Sequence, residues 1–387
     1  MARMKRGQGE GSIYQRSSGS WRAQIIIDGK RVGKTFKNKS DGLSWLRKMQ
    51  SQDEQGFDYF GSMIPLGEYM NQWLEAARTA LREKTAYQYD RLIQNHINPH
   101  IGDIPLKDLR LSKIEQFYRT LIISGLGPRT VKIVHSVLHR AFEKAVMYSV
   151  LNSNPAHGAT LPKYQHAEMQ IWDEVQVMQF LSTAHESRYE ALYHLAVKTG
   201  MRQGELFGLK WSDLQWHNGT LLVQRQVQKI PRKGWSFLTP KTKSGRRAIK
   251  VGDATLQILR LHREQQEIEK AFTGERWKEY GLMFTSKVGT PGDPSNLRLD
   301  FNHLIGEAGL PKIRFHDLRH TSASLMLNHG VPVIVVSKRL GHSQPSTTLD
   351  VYGHLYHELQ NDAARIMDEL VTPVPVELSE MVGKVLS

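Results

Sequence analysis

Residues 314–320 read Arg314-Phe315-His316-Asp317-Leu318-Arg319-His320. His316 and Arg319 stand three apart, which makes them neighbours on one helix face. Two donor groups side by side suit an anionic oxygen. Moving toward the C-terminus, Leu340-Gly341-His342-Ser343 is followed by Thr347-Thr348-Leu349-Asp350-Val351-Tyr352. Moving toward the N-terminus, two more stretches stand out. Thr239-Pro240-Lys241-Thr242-Lys243-Ser244-Gly245-Arg246-Arg247 is basic, and its Ser244-Gly245 pair reads as a hairpin turn that projects Lys243 from the tip. Thr199-Gly200-Met201-Arg202-Gln203-Gly204-Glu205-Leu206 reads as a helix end followed by a helix start, with Glu205 spaced to hold the Arg202 guanidinium. Each piece alone has a bland reading: an ion pair, a solvated loop, a core histidine, a packed tyrosine. An ordered set of Arg, Lys, His-x-x-Arg, His and Tyr is far harder to obtain by chance.

The bulk properties agree with an anionic partner. The chain has 387 residues, enough for two or three domains, and a net charge of +14. Such an excess favours nucleic acid or an acidic membrane surface. Residues 1–50 carry twelve Lys and Arg against three Asp and Glu, so most of the excess lies there. There is no cysteine, which excludes disulfides, thiolate catalysis and thiolate zinc sites. No apolar run reaches the length of a membrane span and no signal-peptide core follows the basic start, so a cytoplasmic, nucleoid-associated protein is expected.

Three segments and a tail are expected. Residues 1–58 contain strand patterns at Ser12–Tyr14, Trp21–Ile27 and Arg31–Phe36. The last two are joined by Asp28-Gly29, and a helix with Leu43, Leu46 and Met49 on its apolar stripe follows. Arg22, Lys30, Arg31, Lys34 and Lys37 stud this small sheet, and a basic sheet face fits a DNA groove. Residues 64–160 look all-helical, with helices from Leu66, from Thr85 to Ile97 with Pro99 as the stop, from Leu109 to Ile122, and from Pro128 to Met147. Arg129, Lys132, His135 and Arg140 lie on the last of these, and the choice between DNA contact and plain solvation of a bundle stays open. Residues 168–371 read as a helical domain with inserted strands, including one at Leu221–Val227 and helices near 253–271, 296–309, 316–329, 332–340 and 345–352. Residues 372–387 form a tail with Val374, Val376, Leu378, Met381, Val382 and Val385, too apolar for plain solvation. The fold class is mainly α with small β-sheets.

With these motifs in hand, the sequence resembles the tyrosine recombinases, the phage-type integrases. The resemblance is strong over the last 220 or so residues and looser over the helical segment, while the N-terminal sheet is similar to an arm-type DNA-binding domain. It implies a three-domain architecture: an arm-type domain at 1–58, a helical core-site domain at 64–160 and a catalytic domain at 168–371. It also implies that the tail at 372–387 packs on a neighbouring protomer. The catalytic residues it implies are Arg202, Lys243, His316, Arg319, His342 and Tyr352, with Glu205 in support and Arg246 among the DNA contacts. Lys241 competes with Lys243 for the lysine role, and Tyr356 is the next candidate should Tyr352 not be the nucleophile.

The chemistry suits these groups. Attack on a phosphodiester spreads negative charge over the equatorial oxygens. Arginines and a histidine donate to those oxygens in directed geometry, so no metal or cofactor is expected. A 3′-phosphotyrosyl link conserves the bond energy, so resealing needs no ATP. The partners implied are double-stranded DNA at attachment sites, a homotetramer on synapsed DNA, and an accessory bending or directionality factor. The competing readings are a type IB-like topoisomerase, which shares the chemistry, and a non-catalytic DNA-binding regulator with the same fold.

Overall fold

The structure, a computed structural model, describes residues 11–164, 170–231, 233–240, 243–346, 348–349 and 356–371; for Lys243 and for residues 356–363 it describes the backbone alone. The chain divides into two compact units, residues 1–166 and 167–387. The N-terminal sheet and the helical segment thus fall in one unit, joined by a backbone hydrogen bond from Asp58 to the Ser149 carbonyl at 3.0 Å.

The first unit opens with an antiparallel sheet, β1 (Ser12–Gln15), β2 (Trp21–Ile27) and β3 (Lys30–Phe36), in the order β1-β2-β3. Asp28 and Gly29 both have positive φ, at 47° and 73°, the conformation that a two-residue hairpin needs to match strand twist. Period-two alternation buries Ala23, Ile25 and Ile27 against α1 (Lys39–Glu54), where Leu46 and Met49 complete the core. Gly42 allows that approach: a Cβ there would stand 2.6 Å from Ile13 Cδ1. Leu43, expected on the apolar stripe, is instead 36% exposed.

The helical part comprises α2 (Leu66–Ala77), α3 (Glu83–Leu92), α4 (Asn98–Ile101), α5 (Leu111–Ile123) and α6 (Pro128–Met147). Pro99 does not stop a helix as expected. A π-helical turn at Ile93–Ile97 links α3 to α4, and Pro99 falls in the first turn of α4, where its missing N–H has no intrahelical acceptor to lose. The amphipathic faces meet in one core that includes Leu66, Met70, Ile93, Phe117, Val134 and Phe142.

The second unit begins with α7 (Glu174–Thr183), opened by a reciprocal cap between Asp173 and Gln176. Then come α8 (Glu190–Thr199), the short α9 (Gln203–Leu206), and five strands: β4 (Leu214–Gln215), β5 (Thr220–Val223), β6 (Gln226–Ile230), β7 (Gly234–Leu238) and β8 (Arg247–Lys250). The unit continues with α10 (Asp253–Thr273), α11 (Pro294–Glu307), α12 (Asp317–Asn328), α13 (Val333–Leu340) and α14 (Tyr356–Val371).

Two expectations change here. The single strand at Leu221–Val227 is broken at Gln224-Arg225, because Arg225 Nη1 turns in to bind the buried Asp213 carboxylate and the Gly208 carbonyl. The two halves then join different sheets, β4-β5-β8 and β6-β7. Consequently Ser244-Gly245 is not a hairpin tip. Lys243–Gly245 form a short 3-10 turn in the connection that crosses from β7 in one sheet to β8 in the other. The core of this unit gathers Trp172, Phe180, Tyr193, Phe207 and Phe301.

Candidate active site

The site is built from chain ends. Helix α8 closes on Gly200, whose φ of 63° is the left-handed conformation glycine adopts without penalty. The chain then reverses through Met201 and places Arg202 in extended conformation at the start of α9. Glu205, 3% exposed, accepts from the Arg202 backbone N–H and from Arg202 Nη1, both at 3.0 Å. The reading of Glu205 as the holder of Arg202 therefore has its geometric counterpart. Burial pushes the Glu205 carboxyl up, but its bonds to Arg247 and Arg202 outweigh that and hold it below the usual carboxylate range.

His316 and Arg319 come from the start of α12, His316 at its N-cap and Arg319 in its first turn. Arg319 is 4% exposed, and its Nη1 donates to the Gly200 carbonyl at 2.7 Å. This bond fixes the second arginine beside the loop that carries the first. His316 precedes the helix, with Asp317 anchored by Arg314 through bonds of 2.7 to 2.9 Å. More than a third of the His316 surface is open, yet loss of hydration on its inner side is the largest influence on it. With the positive charges of His320, Arg319 and Arg202 added, its pKa is pushed down to about 4.

His342 follows the C-terminus of α13, where Gly341 has φ 74°. Its Nδ1 lies 2.8 Å from the hydroxyl of the fully buried Thr348. Burial, then the charges of Arg319, Arg202 and Arg247, push its pKa down to about 4 as well. Both imidazoles are therefore neutral in the free protein at neutral pH. Arg202 and Arg319, from segments more than a hundred residues apart in sequence, thus both stand within electrostatic reach of His316 and of His342. Their donors can hold a single oxyanion while a neutral imidazole accepts a proton.

Lys241 and Tyr352 lie outside the described residues, and Lys243 is described only as the first residue of its turn. Arg246, directly after that turn, is exposed. Two residues that the sequence reading passed over stand in the site. Arg247 is bound to Glu205, and Thr348 to His342. The signal for Arg247 was available in strand alternation: Arg247 and Ile249 share the inward side of β8, while Arg246 does not.

The other candidate DNA-binding residues divide. In β3 and β2 the register pairs Arg22 with Thr35 and Ile26 with Arg31, so Arg22 and Arg31 occupy the open face of the sheet. Lys30 and Lys34 pair with Ile27 and Ala23, on the α1 side, where Lys30 lies over the Phe60 ring and Lys34 over Phe36. The expected single basic face is therefore split between a face and an edge, with Lys37 just beyond β3. On α6, Arg129 is exposed and Lys132 partly so. His135 is tied to Tyr118 Oη at 3.0 Å, and the exposed Arg140 donates to Tyr89 Oη at 2.9 Å, so each has a partner within the bundle.

Known proteins place this architecture. The model of the phage integrase family matches residues 170–358, and that of the phage integrase N-terminal SAM-like domain matches residues 66–122. The chain belongs to the phage integrase family of tyrosine recombinases. As a family member it is a site-specific recombinase. A tyrosine recombinase XerC-like protein of Caldanaerobacter subterraneus subsp. tengcongensis is 29% identical over 364 residues, covering 89% of this chain and 93% of the relative. The ICEBs1 integrase of Bacillus subtilis is 29% identical over 294 residues, covering 74% and 78%. Among solved structures, the Tn1549 transposon integrase in complex with a circular intermediate DNA superposes with a TM-score of 0.68 at 20% identity, covering 78% of this chain and 99% of that one. A lambda integrase dimer bound to a core site gives 0.57 at 19%, covering 90% and 97%. These structural likenesses concern the fold. Among the described residues no helix is long and apolar enough to cross a membrane.

Proposed function

We propose that this recombinase cuts and rejoins DNA through Tyr352, with Arg202, Lys243, His316, Arg319 and His342 as the remaining catalytic residues. The observation that carries the reading is the convergence of Arg202 and Arg319 on His316 and His342: burial first, and then the charges of these arginines, depress both imidazoles.

Arg202, Arg319 and His342 donate to the non-bridging oxygens of the scissile phosphate, and such donors typically contribute on the order of 3–4 kcal/mol each to a barrier. Tyr352 Oη attacks phosphorus, and neutral His316 takes its proton. A bond forms between phosphorus and the tyrosine oxygen as the bond to the 5′-oxygen breaks. Lys243 supplies the proton to that leaving oxygen. Attack by the 5′-hydroxyl of another strand reverses each transfer and frees the tyrosine.

Residues 1–58 serve as the arm-type domain and 64–160 as the core-site domain, both on double-stranded DNA, with 168–371 as the catalytic domain. Four protomers act on synapsed DNA, each tail at 372–387 docking on a neighbour, with an accessory bending or directionality factor. The place of action is the nucleoid in the cytoplasm. The Tn1549 and lambda integrase structures, recorded on DNA, and a lambda integrase tetramer on a Holliday junction support that assembly.

A nicked suicide substrate provides the test. Wild-type protein is expected to become covalently attached to DNA, and Tyr352→Phe to bind without attachment. No adduct from the wild type sinks the enzyme mechanism; an adduct from Tyr352→Phe moves the nucleophile, with Tyr356 next in line.

A further inference from the structure

Arg247 has no part in the chemistry above, yet it stands where three elements of the site meet. Its side chain is 6% exposed. Nη2 donates to Glu205 Oε2 at 2.9 Å and Nη1 to Glu205 Oε1 at 3.3 Å, so one carboxylate is shared between Arg247 and Arg202. Nη1 also donates to the Gly245 carbonyl at 3.2 Å, which closes the turn begun by Lys243. Nε donates to the Arg339 carbonyl at 2.6 Å, in the last turn of α13.

Packing reinforces the bonds. A Cβ on Gly341 would stand 2.9 Å from Arg247 Nη1 and 3.0 Å from the Ser244 carbonyl, so the backbone just before His342 rests directly on Arg247 and on the lysine turn. Arg339 extends the arrangement by donating to the carbonyls of Lys198, near the end of α8, and of Lys250 in β8. With these donors committed inward, Arg247 is ill placed to bind a phosphate itself.

We propose that Arg247 is a positioning residue for strand cleavage: it locks the Lys243 turn to the Glu205–Arg202 clamp and to the Gly341-His342 backbone. Proton donation to the leaving 5′-oxygen is thereby kept in register with the groups that hold the phosphate. The inference rests on the proposed roles of Arg202, Lys243 and His342. A lysine at this position keeps a charge for Glu205 but loses the fork that spans three partners.

The test uses the full chain and two nicked substrates, one ordinary and one with sulfur replacing the bridging 5′-oxygen at the scissile phosphate. A thiolate is a stable leaving group near neutral pH, so the sulfur substrate does not need the general acid. Arg247→Lys is expected to slow single-turnover adduct formation about tenfold or more on the oxygen substrate and less than about threefold on the sulfur substrate, because general acids typically contribute about 10²–10⁴.

The ratio of the two rates is taken on one preparation, so partial unfolding cancels. Equal slowing on both substrates, or no slowing on either, overturns the proposal. Two controls separate its failure from that of the underlying reading. Lys243→Ala should be rescued by sulfur and Arg202→Ala should not. If Lys243→Ala is not rescued, the assignment of Lys243 as general acid is what falls.

Discussion

Arg319 Nη1 donates to the main-chain carbonyl of Gly200 at 2.7 Å, across 119 residues of sequence. The bond makes the loop before Arg202 part of the seat of the second arginine. Gly200 has no room to change: its φ is 63°, and a Cβ would stand 2.4 Å from Leu340 Cδ2, at the end of the helix that leads to His342. Gly200→Ala should therefore cost roughly 1–3 kcal/mol of stability from backbone strain and crowding together. It should also slow adduct formation by more than the loss of folded protein explains. Urea unfolding and single-turnover cleavage on the same samples check this. An alanine variant of wild-type stability and rate would show that the loop yields freely.

The Thr348 hydroxyl, fully buried and 2.8 Å from His342 Nδ1, is expected to fix the imidazole tautomer. When the hydroxyl donates to Nδ1, the proton sits on Nε2 and faces the phosphate as a donor. Thr348→Val removes the hydroxyl at nearly constant volume and should lower the cleavage rate by about tenfold or more, approaching the loss of one preorganised donor. Thr348→Ser should restore most of it. A serine variant as slow as the valine one would mean that the methyl, and so packing, is what matters.

Much of the site was legible because its residues sit at helix ends, which glycines mark. Gly200 and Gly341 announce left-handed caps, with Arg202 two residues after the first and His342 directly after the second. The order of the motifs supplied the rest. What the sequence hid was pairing. Nothing local says that β8 leaves the β7 strand to join β5, so Lys243-Ser244-Gly245 looked like a hairpin tip. Nothing local says that the Arg225 guanidinium will find Asp213 and break a strand that its apolar run would have continued. The basic patch of residues 22–37 was similarly visible as composition, while its division between a face and an edge depends on register.

His316 and His342, both pushed down to about 4, contribute to the acid behaviour of the free protein. A histidine with a folded pKa below its unfolded value near 6.5 binds fewer protons when folded, so stability rises with pH across that interval. It should be intact above about pH 6.5 and fall as pH drops toward 4. His135, His194, His262 and His320, all lowered chiefly by burial, act in the same direction. Urea midpoints between pH 8 and 4.5 at fixed ionic strength check this, and His342→Gln should flatten the slope. A midpoint that improves as pH falls through this range would contradict the neutral-imidazole site. Bound DNA brings phosphate to the same histidines and favours their protonated forms, so the decline should be shallower in the complex.

The split of the N-terminal cations predicts unequal roles on DNA. Arg22 and Arg31 stand on the open face beside Tyr14, which is 48% exposed, and Ile26, which is 57% exposed. Lys30 and Lys34 lie at the edge, each over an aromatic ring. A sheet that enters a groove by its open face uses the arginines for phosphates and leaves the lysines to the rim. Replacing Arg22 and Arg31 with alanine in the full chain should reduce the slope of log affinity against log salt by about 0.9 for each phosphate that is no longer neutralised. Replacing Lys30 and Lys34 should change the slope much less. Titrations of one DNA duplex at several salt concentrations measure both. If the lysine pair moves the slope as far as the arginine pair, the sheet meets DNA along the β3 edge, and the docking direction turns by roughly a right angle, since strand edge and sheet face are perpendicular.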